Sequence, residues 1–128
     1  MSRASKQTTQ TAKAEIEAQI MQSSNQSMYT NENLAKLKTM DGLAPKVMAA
    51  FWAFDRAAVA EGAIPVKYKE LIAVAVALTT QCPYCIEIHS SNARKAGATD
   101  VEMTEAGMIA AALRAGAAVT HATHALSA

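Results

Sequence analysis

The chain has two cysteines, and they lie three residues apart as Cys82 and Cys85. His89 follows the second by four residues, and eleven residues separate Glu70 from the first. Two thiols, an imidazole and a carboxylate are the parts of an activated sulfur nucleophile, in which a base takes the thiol proton and a third group orients the base. Pro83 suits the first position of a helix, where no backbone donor is needed. Cys82 then becomes the N-cap and Cys85 the third helical residue, positions whose side chains meet across a helix start. The sulfurs reach disulfide distance without unwinding the helix. Unpaired N–H groups and the positive end of the helix dipole gather at the same place. They stabilise a thiolate, so the expectation is a lowered pKa, for Cys85 in particular.

These residues need two helices to hold them. Cys85 and His89 share one helix face by their spacing. An apolar helix over residues 66–80 carries Glu70, and a short connection to Pro83 makes the two helices antiparallel neighbours. Folding the chain back about residue 81 sets Glu70 level with residue 92. At about 1.5 Å per residue, His89 is then one turn away. The expected order along the groove is Glu70, His89, Cys85, Cys82.

Glu70, the run Cys82-Pro-Tyr-Cys85 and the following Ile-Glu-Ile-His89 resemble the core motif of the alkylhydroperoxidase D (AhpD)-like family, within the carboxymuconolactone decarboxylase superfamily. The match spans roughly residues 43–126. The resemblance implies an all-α fold with a central helical hairpin carrying C-x-x-C, a homo-oligomer of three or six subunits, and thiol-dependent reduction of peroxides. It also implies that Cys85 is the peroxide-attacking thiol, Cys82 the resolving one, and Glu70 with His89 the proton relay. The implied partners are a peroxide and an external dithiol reductant of the lipoyl or thioredoxin type. No cofactor and no metal is expected. Tyr84 departs from the best-studied pattern, which has a histidine there.

Composition fits this frame. The chain's 128 residues suffice for one domain with a modest core. Half are apolar, but aromatics are few and alanine dominates, which favours close helix packing and calls for subunit association. With Lys plus Arg at 12 and Asp plus Glu at 11, no basic stripe argues for nucleic acid. Residues 1–14 are polar and lack a signal-peptide pattern, and the apolar run 71–78 is too short to cross a bilayer. The expectation is a soluble cytoplasmic protein, in which a C-x-x-C pair is catalytic or metal-binding rather than a permanent staple.

Residues 1–30 read as a polar arm, with a helix over 11–21 and a linker over 22–30; the expected role is packing on a neighbouring subunit, with a disordered tail as the alternative. The domain proper is expected over 31–128. It begins with a short helix from Asn31 to about Met40 and a turn at Asp41-Gly42. A helix then runs from Pro45 to a stop at Gly62, with Phe51 and Trp52 read as core and interface packing ahead of the alternative that they line the mouth of the thiol site. In the next helix, Lys67 and Lys69 mark the exposed side, and the apolar run makes it the buried central element. A charge such as Glu70 on such a helix is costly unless it is partnered. The cysteine helix ends at Ala96 with Gly97 as C′. Thr99 and Glu102 fit a capping box, and a last helix begins near Thr104 and runs towards Leu126. His121 and His124 lie near its end and are read as solvated.

Other chemistries compete. Cys82, Cys85 and His89, with Glu70 or a histidine of the last helix, make a possible metal set. A decarboxylase-type enzyme is another reading, weakened by the cysteine pair, and a redox-sensing protein without turnover is a third. Ile86 after Cys85 excludes covalent haem attachment. A purely structural disulfide would close so short a loop that it stabilises little.

Overall fold

The computed structural model describes Lys13, Glu15, Ile16 and residues 29–127. The described residues form helices joined by short turns, with no strand among them. In chain order the elements are α1 (Asn31–Ala35), α2 (Leu37–Leu43), α3 (Pro45–Val59), α4 (Val66–Thr80), α5 (Pro83–Lys95) and α6 (Asp100–Ala122). A 3₁₀ turn, Thr123–Ala125, completes the order. Lys13, Glu15 and Ile16 are helical. The rest of the helix expected over 11–21, the arm before it and most of the linker after it lie outside the described residues. Contacts separate residues 1–33 from residues 34–128, and the cysteine site lies wholly in the second unit.

Helix α4 is the centre of that unit and packs on both α5 and α6. It ends at Gln81, which adopts the left-handed conformation (φ 56°) with its N–H on the Ala77 carbonyl. The Cys82 N–H bonds the same carbonyl at 3.1 Å. A non-glycine residue there costs about 1–2 kcal/mol. The reversal is tight, so α5 starts at once and runs back along α4. Between α4 and α5 the wholly buried Ala93 presents no bulk, which allows close approach. Leu71, Ala93 and Ala98 form the core, with Met103 and Ala106 against them. Gly97 (φ 88°) turns the chain from α5 towards α6 in a conformation that suits glycine.

Polar contacts register α4 against α6. Lys67 Nζ lies 2.7 Å from Glu102 Oε1. The other Glu102 oxygen accepts the Thr99 N–H at 2.8 Å, closing the expected capping box. The Lys67 ammonium and the Thr99 N–H together hold the Glu102 carboxyl down at about 2. At the opposite end, the Arg114 guanidinium donates to the Thr79 carbonyl. The Lys67–Glu102 pair is partly exposed and screened by solvent, so it aligns the helices more than it holds the fold.

Several boundaries differ from expectation, each for a local reason. Asp41 and Gly42 are helical rather than a turn, because α2 continues to Leu43. Asp41 also accepts the Trp52 indole N–H at 2.7 Å, which ties α2 to α3. Gly62 does not stop α3; that helix ends at Val59 with Ala60 extended, and the Ala60 carbonyl is taken by Lys69 Nζ at 2.6 Å. The last helix starts at Asp100, not Thr104, because Thr99 is its N-cap. Lys67 and Lys69 do not share an exposed side. Two residues correspond to about 200° of helical rotation, which sends one towards α6 and the other towards α3. Nor is the run 71–78 buried all round. Leu71, Val74 and Ala77 are buried, while Ile72 and Val76 are 52% and 53% exposed. Among the described residues no helix is long and apolar enough to cross a membrane.

Candidate active site

The α4–α5 hairpin brings the four singled-out residues to one region. Cys82 is the N-cap of α5 and Pro83 its first residue. The Cys82 sulfur accepts the Cys85 N–H at 3.3 Å, as the helix-start argument requires. Both thiols are free and half-buried. Glu70 is the buried charged residue of α4, 3% exposed. Its Oε2 lies 2.7 Å from Nδ1 of His89, a residue of α5. This contact supplies the partner that a charge on an apolar helix needs.

The contact also fixes which ring nitrogen does what. A carboxylate only accepts, so Nδ1–H donates to Glu70 and Nε2 is left for a second partner. His89 and Cys85 both line a groove of about 400 Å³, together with Ala58, Val59, Ile64, Lys69, Ile72, Ala73, Val76, Ala77 and Thr80. Cys82 is not part of its wall. A small molecule in this groove therefore lies against Cys85 and His89 on a mostly apolar surface.

The order of ionisation reverses the expectation. Cys82, not Cys85, has the lowered pKa: it takes a hydrogen bond from the Cys85 thiol and further ones from the Cys85 and Tyr84 N–H groups, against a smaller burial cost. The Cys85 thiol is pushed up to about 11, first because it donates to Cys82, then by burial and the adjacent Cys82 charge. The helix N-terminus holds its charge-stabilising groups at Cys82. Its N–H groups point back at the N-cap sulfur rather than at the third helical residue. Asp55 of α3 adds a small upward push on Cys85. Nothing in the sequence marked it, because its approach depends on how α3 packs.

A direct consequence concerns alkylation. Only the thiolate reacts, so below its pKa a thiol's rate falls tenfold per pH unit. In the reduced protein at pH 7, iodoacetamide is expected to modify Cys82 at least tenfold faster than Cys85. Cys85 should gain on Cys82 as the pH rises towards about 11. Peptide mapping at timed intervals reads both rates, and faster labelling of Cys85 at pH 7 would reverse the assignment.

Phe51 and Trp52 lie away from the groove wall; Phe51 is half-exposed and packs edge-on against Trp52, with ring centroids 5.0 Å apart. His121 and His124 stack on each other with centroids 5.6 Å apart, remote in sequence from the hairpin. Among the described residues no group of three or more His, Cys, Asp or Glu side chains is arranged to hold a metal ion.

Known proteins share this architecture. Residues 45–128 match the carboxymuconolactone decarboxylase family model. An uncharacterised protein of the cox locus of Paracoccus denitrificans is 51% identical over 78 residues, which are 61% of this chain and 70% of that one. An alkyl hydroperoxide reductase of Mycobacterium tuberculosis is 38% identical over 69 residues, 54% of this chain but 19% of that protein. Among solved structures, a carboxymuconolactone decarboxylase family protein from Legionella pneumophila superposes with a TM-score of 0.62 at 36% identity. That match covers 66% of this chain and 75% of the other. A protein from Methanobacterium thermoautotrophicum gives 0.64 at 34% identity, covering 67% and 97%. The matched stretch contains all of α3 to α6 and with them the whole cysteine site, so the chain belongs to the carboxymuconolactone decarboxylase family.

Proposed function

We propose that the protein is a dithiol peroxidase that reduces peroxides through Cys85 and Cys82, with Glu70 and His89 as proton relay. The observation that carries this reading is the shared groove: a free thiol and a carboxylate-oriented imidazole lie on one wall, with a second thiol one helix turn behind. The similarity to an alkyl hydroperoxide reductase supports it.

The chemistry runs as follows. In the reduced pair, Cys82 carries the first negative charge and Cys85 keeps its proton. When a peroxide enters the groove, that proton passes to Cys82 or to His89 Nε2 as the Cys85 sulfur attacks the O–O bond. The bond breaks, one oxygen stays on sulfur as a sulfenic acid, and the other leaves as the alcohol after taking up a proton. The Cys82 thiolate then attacks the Cys85 sulfur. A disulfide forms, and the hydroxide expelled takes a proton from solvent, replacing the one Cys82 had given up, and leaves as water. The sum is two thiols plus one hydroperoxide giving one disulfide, one alcohol and one water. An external dithiol reduces the disulfide by exchange.

Subunit association belongs to the same proposal. Helix α6 carries Met108, Ile109, Leu113 and Val119 on its open surface, with Leu113 70% exposed. Apolar groups in that number on one helix favour a covering surface, and a second copy of the chain provides one.

The test is a redox titration. Reduced protein given one equivalent of cumene hydroperoxide is expected to lose both free thiols per chain and two mass units, with Cys82 joined to Cys85. Adding dihydrolipoamide should restore both thiols and sustain peroxide consumption. Retention of the thiols, or oxidation that no dithiol reverses, sinks the reading. Sedimentation of the same samples reports the subunit count, and a monomer would remove the assembly part.

A further inference from the structure

Beside Cys85 and His89, the groove wall contains one further titratable side chain, Lys69. It precedes Glu70 on α4 but points about 100° away from it, towards the turn after α3. Its ammonium donates to the Ala60 carbonyl at 2.6 Å and lies over the bare backbone of Gly62, 3.6 Å from where a Cβ would stand. No carboxylate among the described residues pairs with it. An ammonium has three donors, and the carbonyl uses one. The rest of the lining is aliphatic apart from Thr80, and no acidic residue belongs to it.

The geometry sets a distance. Glu70 meets His89 across the hairpin. Cys85 lies one turn, about 6 Å, from His89 towards the junction, and Lys69 lies one residue, about 1.5 Å, from Glu70 the other way. Cys85 and the base of the Lys69 side chain are therefore on the order of 10 Å apart along the helix axes. A groove of about 400 Å³ is in the range of small-ligand sites.

We propose that Lys69 anchors an anionic group, and that the site takes carboxylate-bearing molecules with an apolar body between the charge and the reactive end. On the peroxidase reading, with which this inference shares its site, the substrate is an organic hydroperoxide carrying a carboxylate at its far end. Lys69 is then a specificity residue. The Cys85 sulfur takes the hydroperoxide, the aliphatic wall of Val59, Ile64 and Val76 takes the hydrocarbon, and the ammonium takes the carboxylate.

Two readouts test this, one of them independent of turnover. The first uses 4-isopropylbenzoate, which has the charge and the apolar body but no O–O bond. It is expected to slow alkylation of Cys85 at pH 9, whereas the neutral 4-isopropylbenzamide at equal concentration does not. Lys69→Met and Lys69→Gln should each weaken the protection at least tenfold. The second compares 4-carboxycumene hydroperoxide with cumene hydroperoxide. The wild type should favour the acid by tenfold or more in kcat/KM, and Lys69→Met should bring the ratio of the two substrates to about one. Equal protection by acid and amide in the wild type overturns the proposal, as does a Lys69→Met that loses all substrates alike, for then the lysine only caps α3. Protection by the acid in a protein that reduces no peroxide keeps the anion site and removes the peroxidase reading instead.

Discussion

Replacing Cys85 with serine is expected to abolish peroxide turnover, by roughly a thousandfold or more, as loss of a nucleophile does. Replacing Cys82 with serine is expected to act differently. The first turnover survives, a sulfenic acid accumulates on Cys85 with one equivalent of peroxide consumed, and no disulfide follows. The contrast rests on position. Cys85 lines the groove with His89, and Cys82 lies outside its wall. It does not rest on acidity, which points the other way: Cys82 holds the first charge, and Cys85 is pushed up to about 11 by the hydrogen bond that it donates. Removing Cys82 deletes that acceptor and its charge, so the Cys85 pKa should fall back towards the ordinary thiol value. Rapid-mix oxidation with a sulfenic-acid trap reads the first turnover in both variants. A burst in Cys85→Ser and none in Cys82→Ser would exchange the two roles and make the groove irrelevant to the attack.

The sulfur positions were legible in the sequence because they follow from one local rule. A proline at the first helical position makes the preceding residue the N-cap, and the N-cap side chain faces the third N–H. Pro83 satisfies the rule, and the Cys82 sulfur accepts the Cys85 N–H. The Glu70–His89 contact was legible for a related reason, since a short reversal between two helices sets their register almost arithmetically. What the rule did not give is the sense of the proton. N-cap geometry aims the N–H groups at Cys82, and only the packed structure shows that burial and Asp55 also work against a charge on Cys85. Lys69 was illegible for a different reason. Reading Lys67 and Lys69 as one exposed side ignores the helical period, and which of the two faces a groove depends on where α3 ends. That end lies at Val59 rather than at Gly62. The apolar run of α4 misled in the same direction. It is the packing centre of the fold, yet Ile72 and Val76 leave part of it open, where they line the groove beside Cys85 and His89.

Glu70→Gln is expected to lower kcat/KM for peroxide at pH 7 by about 10²-fold, within the range that a proton-transfer group contributes. The substitution keeps the size of the side chain and an oxygen that accepts the Nδ1–H of His89, so the ring stays oriented and the fold survives. What it removes is the negative charge. With a carboxylate behind it, His89 becomes imidazolium next to a counter-ion when it takes the Cys85 proton. With an amide, the imidazolium has lost its counter-ion on the side where Glu70 is 3% exposed. The step that suffers is the removal of the proton from Cys85, so the defect should depend on pH in a defined sense. Near pH 7 Cys85 is protonated and needs the relay, and the variant is slow. Towards pH 11 the thiol ionises without help, and the Cys85 alkylation rates of variant and wild type should converge. Cys82 is already stabilised by the N–H groups of Cys85 and Tyr84, so its alkylation should change little at any pH. Measuring the two alkylation rates separately across this range, with circular dichroism as the check on folding, separates a relay from a scaffold. A uniform loss at both cysteines and at all pH values would make Glu70 a structural partner of His89 and nothing more.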